Sequence, residues 1–510
     1  MPAKTIMVQG TASHVGKSIL TAALCRIFHQ DGYRVAPFKS QNMALNSFVT
    51  ADGSEMGRAQ VVQAEAAGLL PSVDMNPVLL KPTGNASSQV VVLGRPLDNY
   101  TAWDYHQDLA GKLWSIVTAA LDRLCGQFDI VVIEGAGSPA EVNLQDTDIV
   151  NMKVARQVEA PVLLVADIDR GGALASVVGT LELLPPGDKE RVKGIIINKF
   201  RGDISLFQPA ISFLEQKTGV PVCGVVPFFD DIYIQDEDSV AIESKHDHAG
   251  NDGGKVEIAV LRLPRISNFT DFDPLESEPD VHLRYVGRKD KLGQPDLIII
   301  PGSKNTIEDL MYLKQTGLAG AIARLARQGV SVIGICGGFQ MLGRELKDPY
   351  KTESAIEKIS GLGLLDMQTI FAREKVTSQV QAVVAEDSNF LSCYNTPLTG
   401  YEIHMGRTEL GTQVKPAFVI NIRSGCQVHL LDGAQNAAGS VWGTYIHGIF
   451  DNDAFRRHIL DMLKEKKGLN TVGQAVLIST EQKKQAGYDR LAELVRHSLD
   501  MQLVYKLMEM

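Results

Sequence analysis

Short runs of apolar residues recur along this chain, and a helix-length stretch separates most runs from the next. The runs are rich in β-branched residues and apolar on both faces, as buried parallel strands require. In the first half of the chain they are Thr5–Gln9, Val35–Pro37, Ile130–Glu134, Val162–Ala166 and Gly194–Asn198. Strands that alternate with helices in this way are typical of a doubly wound α/β sheet.

This alternation stops at residues 236–255, a polar stretch rich in Asp and Gly that is the best candidate for a linker. A second set of runs follows, at Val256–Leu261, Leu297–Ile300, Ser331–Ile335 and Ser440–Ile446. The end of the chain has amphipathic helical spacing. The sequence therefore predicts an α/β protein with two doubly wound parallel-sheet domains, residues 1–235 and 256–455, and a helical C-terminal tail, residues 456–510.

A length of 510 residues exceeds what one hydrophobic core usually organises, in agreement with more than one domain. The net charge of −10 argues against nucleic acid as a partner, because phosphate binding needs clustered positive charge. The 6 cysteines form no C-x-x-C pair, so neither a zinc site nor a disulfide framework is predicted. Met1–Gly10 lacks the pattern of a secretory leader, and no apolar run approaches the ~20 residues that span a bilayer. We expect a cytoplasmic protein without a membrane partner, and the sequence does not indicate its oligomeric state.

A glycine-containing loop, Gly10 to Ser18, follows the first predicted strand and precedes a predicted helix. Such a loop turns backbone N–H groups toward phosphates at the positive end of the helix. Lys17, after Gly16, is placed to reach the terminal phosphates of ATP, and the Ser18 hydroxyl is placed to hold Mg²⁺. The usual motif has glycine where this chain has Thr11, with Gly10 one residue earlier. The alternative interpretation is a glycine-rich turn with a solvated lysine.

Two acidic residues are candidates for the same Mg²⁺ ion. Glu134 ends an apolar predicted strand and enters a glycine turn. An acid at the carboxyl end of a parallel strand faces the ligand crevice, where it can coordinate a cation. Asp52 is the second candidate. The alternative for either residue is a solvated carboxylate.

A cysteine lies in a strand–turn–helix pattern, Gly-Ile-Cys-Gly-Gly, centred on Cys336. The flanking glycines permit the sharp turn of a nucleophile elbow, which exposes the side chain at a helix N-terminus. The helix dipole there favours the thiolate, and the backbone N–H of Gly337 is placed to serve an oxyanion hole. The alternative is a small buried cysteine without a chemical role.

A nucleophilic thiol needs a base, usually histidine. His447 follows an apolar predicted strand well downstream of Cys336, and it has the strongest context of the 11 histidines. His404 is its competitor. The sequence therefore predicts a Cys336–His447 pair.

Both halves resemble known families. The phosphate loop, with its first glycine at Gly10 and Thr11 at the usual glycine position, resembles that of the dethiobiotin synthetase-like branch of P-loop proteins, whose members activate carboxyl-type groups. That resemblance implies a base-reading role for Asn198, although a turn residue fits equally well. The Cys336 and His447 motifs resemble class I glutamine amidotransferase domains. Most of those have an acid two residues after the histidine; here Ile449 stands there, which resembles the cobalamin-pathway branch that works with a Cys–His pair.

Further segments strengthen the resemblance to the cobalamin-pathway amidotransferases over nearly the whole length. They are residues 37–43, 76–82, 263–273 and 301–305. The resemblance implies ATP- and glutamine-dependent amidation of the b, d, e and g carboxylates of a corrinoid a,c-diamide, with only small-molecule partners. Lys39 and Lys81 are candidates for neutralising phosphates or corrin carboxylates; solvated lysines are the alternative. A P-loop partition switch leaves Cys336 unexplained, and a bare thiol hydrolase leaves the P-loop without a role.

Overall fold

The computed structural model describes residues 3–84, 87–145, 147–235, 254–386, 388, 397–469 and 479–510. Most of the predicted linker, residues 236–255, lies outside the described residues. Among the helices in the described ranges, none is long and apolar enough to cross a membrane.

The first domain is built on a six-stranded sheet in which all neighbouring strands are parallel. In spatial order its strands are Val222–Pro227, Val192–Phe200, Val162–Asp167, Lys4–Gly10, Ile130–Glu134 and Val35–Phe38. Each of the five runs predicted in this half forms a strand, since buried β-branched residues fill both faces of the sheet. The surrounding α-helices are Lys17–Gln30, Arg58–Ala66, Ala102–Asp104, Ala110–Gln127, Met152–Gln157, Ala173–Leu183, Pro186–Lys189 and Gln208–Thr218.

A part of this domain that the sequence patterns did not predict lies between residues 41 and 101. It contains a four-stranded sheet, Gln41–Met43, Val78–Pro82, Ser87–Val92 and Arg95–Thr101. It also contains a hairpin of two short strands, Ser47–Val49 and Glu55–Gly57. The shorter helical turns of the domain are Val73–Met75, Tyr105–Leu109 and Ile204–Phe207.

The second domain has a seven-stranded sheet in which the first five strands pair in parallel and the last two pairings are antiparallel. The strands are Val281–Val286, Val256–Leu261, Leu297–Ile300, Ser331–Ile335, Val441–Thr444, Ala434–Asn436 and Val414–Lys415. The predicted strands of this half are therefore confirmed. The helices are Asp273–Glu276, Thr306–Gln315, Leu318–Arg327, Gly337–Leu342 and Asp453–Lys467, with shorter turns at Phe269–Phe272, Lys289–Lys291 and Ile449–Asp451.

A mostly antiparallel sheet, also absent from the sequence prediction, belongs to the second domain; its one parallel pairing among the described residues joins Glu345–Lys347 to Met367–Val384. Its strands are Lys358–Ser360, Glu345–Lys347, Met367–Val384, Leu398–Leu410, Phe418–Arg423, Cys426–Asp432 and Ile446–His447. The pairing places Tyr401 opposite His447. A further short pair joins Ile266–Ser267 to Gly302–Ser303.

The C-terminal segment is helical, as predicted, and its helices pack on different domains. Phe455 and Leu460, in Asp453–Lys467, belong to the core of the second domain. The later helices, Thr480–Ser498 and Met501–Leu507, place apolar side chains in the core of the first domain. These side chains are Tyr488, Leu491, Val495, Leu499 and Val504. After the second domain, the chain therefore returns to pack against the first domain.

Candidate active sites

The glycine loop lies where its first strand meets the helix Lys17–Gln30, as the sequence predicts. Lys17 is buried, and its Nζ donates hydrogen bonds to the carbonyl oxygens of Ala12 at 2.9 Å and Gly137 at 3.0 Å. The ammonium therefore faces into the loop, and the alternative of a solvated lysine is wrong. At the loop's other end, the Thr11 N–H donates to the carbonyl oxygen of Val165 at 2.9 Å.

Gly16 and Asn198 lie in direct contact. Gly16 has a φ of 101°, in the region that favours glycine, and a Cβ there would collide with the Asn198 amide. The Asn198 Nδ2 donates to the carbonyl oxygen of Val15 at 2.8 Å. Asn198 thus supports the phosphate loop, whereas the base-reading role stays a prediction.

Glu134 is buried at the end of its strand, with four polar side chains around its carboxylate. Oε1 accepts from the Ser18 hydroxyl at 2.7 Å and from the Lys39 ammonium at 2.8 Å. Oε2 accepts from the side-chain amides of Gln60 at 3.1 Å and Gln63 at 2.7 Å. The sequence singled out Glu134, Ser18 and Lys39, but it did not indicate the two glutamines.

The oxygens of Ser18 and Glu134 fit a hard cation such as Mg²⁺, which prefers carboxylate and hydroxyl ligands near substrate phosphates. In this structure the Lys39 ammonium supplies the positive charge beside Glu134. Asp52 lies elsewhere, in the turn of the hairpin, where its carboxylate accepts hydrogen bonds from the Thr50 and Ser54 hydroxyls. Its role at the metal stays a prediction.

Lys81, the other lysine singled out by the sequence, is buried between the domains. Its Nζ donates to Glu55 at 2.6 Å and to the Ser47 hydroxyl at 2.9 Å. The second oxygen of Glu55 accepts from Lys375 of the second domain. Neither Lys39 nor Lys81 is a solvated lysine, since both side chains are buried.

Cys336 occupies a strained turn between the strand Ser331–Ile335 and the helix Gly337–Leu342. Its φ of 51° and ψ of −108° are unusual for a residue with a side chain, as in a nucleophile elbow. The helix is six residues long, so the turn is held in place by the packing of this helix against its neighbours. Cys336 is therefore no ordinary buried cysteine, although it is largely shielded from solvent.

The glycines around Cys336 are required by close packing. A Cβ at Gly338 would collide with the carbonyl oxygen of Ile300, and one at Gly334 would lie 2.7 Å from the backbone of Gly338. Gly337 starts the short helix, and the backbone amides of that first turn have no intrahelical acceptor. The oxyanion-hole role of the Gly337 N–H stays a prediction.

His447 is buried next to Cys336, and an acid orients its ring. The Nδ1–H of His447 donates to Asp271 Oδ2 at 2.6 Å, while Asp271 Oδ1 accepts from the Gly448 N–H at 3.0 Å. Burial alone lowers the pKa of His447, but the Asp271 carboxylate and the hydrogen-bonded Cys336 outweigh it and raise that pKa to about 10. The site can therefore hold an imidazolium beside Cys336.

The prediction of a Cys–His pair without an orienting acid is corrected by this geometry. Ile449, two residues after the histidine, is part of the apolar core, and Asp271 takes the orienting position from a distant segment. Asp271 belongs to residues 263–273, which supported the family resemblance, but no local spacing connects it with His447. Its role became visible only in the folded chain.

His404 makes different contacts. Its ring stacks on Tyr445 with centroids 3.8 Å apart, and its Nδ1 is 2.9 Å from the carbonyl oxygen of Gly406. The neighbouring Ile403 carbonyl, rather than the imidazole, accepts from the Cys336 thiol at 3.5 Å. Of the two candidate bases, His447 is the one that the structure places with Cys336.

Comparison with known proteins agrees with both sites. Residues 6–240 match the CobQ/CobB/MinD/ParA nucleotide binding domain, and residues 257–455 match the CobB/CobQ-like glutamine amidotransferase domain. Together, the fold, the sites and these matches define an ATP-dependent, glutamine-hydrolysing amidoligase. A cobyric acid synthase of Pelotomaculum thermopropionicum is 56% identical over 99% of this chain and 97% of the relative. The chain belongs to the cobyric acid synthase family, whose pathway is cobalamin biosynthesis.

Other curated relatives carry the same name. The cobyric acid synthase of Desulforamulus reducens is 53% identical over 99% of this chain and 98% of its own length. That of Moorella thermoacetica is 56% identical over 98% of this chain and 96% of its own length. The similarity therefore spans both domains and the C-terminal helices.

Proposed function

We propose that this enzyme converts (adenosyl)cobyrinic acid a,c-diamide to cobyric acid by amidating its b, d, e and g carboxylates with ATP and glutamine. The observation that carries the proposal is the pairing, in one chain, of a phosphate loop beside Glu134 with the Cys336–His447–Asp271 arrangement. The names of the full-length relatives support the corrinoid substrate.

In the second domain, the Cys336 thiolate attacks the side-chain amide of glutamine. The backbone N–H of Gly337 stabilises the oxyanion that forms, and the His447 imidazolium gives its proton to the departing ammonia. Water then hydrolyses the γ-glutamyl thioester, with neutral His447 accepting the proton from that water. Asp271 positions the imidazole through Nδ1 and stabilises its charged form.

In the first domain, the loop from Gly10 to Ser18 holds the phosphates of ATP, with Lys17 near the terminal ones. A corrinoid carboxylate attacks the γ-phosphorus, which yields an acyl phosphate and ADP. Ammonia attacks the acyl carbon, and inorganic phosphate leaves as the amide forms. Ser18 and Glu134 would hold Mg²⁺, which neutralises phosphate charge when bound, and Lys39 adds positive charge there.

Ammonia has to pass from Cys336 to the first domain as the neutral base, because ammonium has no lone pair for attack. We propose a sheltered path between the domains. In a medium with ¹⁵N-labelled ammonium and unlabelled glutamine, the amides formed should remain unlabelled. Extensive incorporation of bulk ammonium during glutamine-dependent turnover would contradict a sheltered path.

The test of the whole assignment is the mass of the corrinoid after incubation with ATP and glutamine. Each amidation replaces OH by NH₂, so losses of about one mass unit per step are expected, on the order of four steps. Cys336→Ala should lose glutamine-dependent amidation and retain amidation with ammonium salts. If glutamine were hydrolysed and the corrinoid mass stayed constant, the corrinoid substrate would be wrong.

A further inference from the structure

One segment of the first domain contacts both candidate sites. This docking segment, residues 46–66, contains the hairpin Ser47–Val49 and Glu55–Gly57 and continues directly into the helix Arg58–Ala66. The hairpin faces the second domain, whereas the helix passes the carboxyl end of the strand that carries Glu134. A single short element therefore lies between the nucleotide loop and the glutaminase residues.

The hairpin holds the turn that carries Asp271. The side chain of Asn268 pairs with the backbone of Ser47: its Nδ2 donates to the Ser47 carbonyl at 3.0 Å, and its Oδ1 accepts from the Ser47 N–H at 3.3 Å. Asn268 Nδ2 also donates to the Tyr401 hydroxyl at 2.8 Å. The Tyr401 ring stacks on His447 with centroids 5.3 Å apart. Both the acid and the ring that orient His447 are thus tied to the first domain.

The start of the helix provides a second connection to the same turn. Arg58 is buried, and its Nε donates to the Thr270 hydroxyl at 3.4 Å. The Thr270 hydroxyl donates to Asn46 Oδ1 at 3.5 Å. Thr270 directly precedes Asp271, so these contacts restrain the backbone that aims the carboxylate at His447.

The rest of the helix reaches the nucleotide side. Gln60 and Gln63, on the same helix as Arg58, both donate to Glu134 Oε2. Glu134 in turn accepts from Ser18 of the phosphate loop. Because one rigid helix carries both sets of contacts, a rearrangement around Glu134 also moves Arg58 relative to Thr270.

We infer that the docking segment is a positioning element for glutamine hydrolysis, and that it ties the orientation of Asp271 and His447 to the state of the nucleotide site. The inference rests on the proposed function of Cys336 and His447. Arg58, Ser47, Asn268 and Thr270 touch no reacting atom; they act through Asp271. The glutaminase site is complete only when the first domain is docked on it.

The experiment compares full-length wild type with Thr270→Val, which keeps the side-chain shape and removes the hydroxyl. Glutamine hydrolysis is measured with and without Mg²⁺ and a non-hydrolysable ATP analogue, and amidation is measured with ammonium salts. Wild type should respond to the nucleotide by about fivefold or more. Thr270→Val should lose that response and lower kcat for hydrolysis on the order of tenfold, with KM for glutamine and ammonium-dependent amidation unchanged.

Arg58→Met tests the same contact from the other domain, and Arg58→Lys should restore part of the response. The matched control is Tyr488→Phe, which removes a part-buried 2.7 Å hydrogen bond to Glu65 on the same helix without touching either site. This variant should behave as wild type. The inference is overturned if wild type shows no nucleotide response, if Thr270→Val keeps it, or if ammonium-dependent amidation falls in parallel with hydrolysis. Failure of the proposed function is distinguished by Cys336→Ala, which would then retain glutamine-dependent activity.

Discussion

Among single residues of the glutaminase site, His447 has a pKa far above its ordinary value. Its imidazole is buried, which disfavours the charged form, but the Asp271 carboxylate 2.6 Å away and Cys336 raise its pKa to about 10. In the proposed mechanism, the ring that protonates ammonia therefore already carries a proton. The charge of Asp271, rather than solvent, maintains this state.

The substitution Asp271→Asn should remove most glutamine hydrolysis. An amide keeps the size of the side chain, but it provides no charge for the imidazolium and favours the wrong tautomer. We expect kcat for glutamine hydrolysis to fall on the order of a thousandfold or more, measured by glutamate release. Amidation from ammonium salts serves as the internal control and should stay near wild type; a parallel fall of both activities would indicate a folding defect instead.

The same pair makes stability depend on pH. The ordinary pKa of histidine is 6.5, whereas the pKa of His447 in the folded protein is about 10. Between these pH values the folded state therefore binds more protons than the unfolded state. Its stabilising contribution is complete below pH 6.5 and is lost as the pH rises through about 10. Urea unfolding at pH 6.5, 8 and 10 should show a steeper decline in the free energy of unfolding for wild type than for Asp271→Asn. Equal declines would contradict this assignment.

At the level of elements, the elbow at Cys336 is maintained by close backbone approach. The strand Ser331–Ile335 and the helix Gly337–Leu342 meet where Gly338 packs on the carbonyl of Ile300. The antiparallel strand Leu398–Leu410 covers this turn and places Tyr401 on His447. Cys336 and His447 are thus held by the two elements that flank Cys336 and by a third, Leu398–Leu410, that is distant in sequence.

Gly338→Ala should disrupt the elbow, because the added methyl group overlaps the Ile300 carbonyl. We expect a loss of about 1–3 kcal/mol in the free energy of unfolding, together with loss of glutamine hydrolysis. The matched control is Gly320→Ala in the helix Leu318–Arg327, where a Cβ meets nothing within 4 Å. The free energy of unfolding of Gly320→Ala should rise by about 0.5–1 kcal/mol. Chemical denaturation of both variants therefore separates the effect of steric crowding from that of helix propensity.

At the level of the whole molecule, the two domains share a buried ionic contact. Glu55 of the first domain lies between Lys81 of the same domain and Lys375 of the second, and all three side chains are 6% exposed or less. Burial disfavours the charge on Glu55, but the two ammonium groups outweigh this effect and keep its pKa well below the ordinary range. Glu55 is part of the hairpin of the docking segment, so the contact helps hold the two candidate sites in one arrangement.

Glu55→Gln should destabilise the interface, since it leaves two buried ammonium groups without their anion. We expect a loss of about 3–5 kcal/mol, as for other buried ion pairs broken on one side, measured by thermal and chemical denaturation. Glu345→Gln is the control: Glu345 also lies between two lysines, Lys347 and Lys358, but on an accessible surface. It should change stability far less, because solvent screens an exposed ion pair. Similar losses for both variants would rule out a special role for Glu55.

Much of the architecture follows from the sequence because it depends on local pattern. Each β-branched apolar run that predicted a strand forms one, since burial on both faces of a parallel sheet leaves little choice of residue. The loop from Gly10 to Ser18 and the turn at Cys336 were also predictable, because each is a short glycine-containing motif between a strand and a helix. Glu134 and His447 were predictable from their places at strand ends.

Only the tertiary structure decided which distant residues complete these sites. Asp271 reaches His447, Gln60 and Gln63 reach Glu134, and Lys375 reaches Glu55 across the domain boundary. None of these partners has a fixed spacing from the residue it contacts, so no periodicity or short motif could predict it. Local sequence thus determined the strands, the phosphate loop and the turn at Cys336. The tertiary structure determined which charged and polar groups pair with them, because electrostatic and hydrogen-bonding partners are selected by distance in space rather than along the chain.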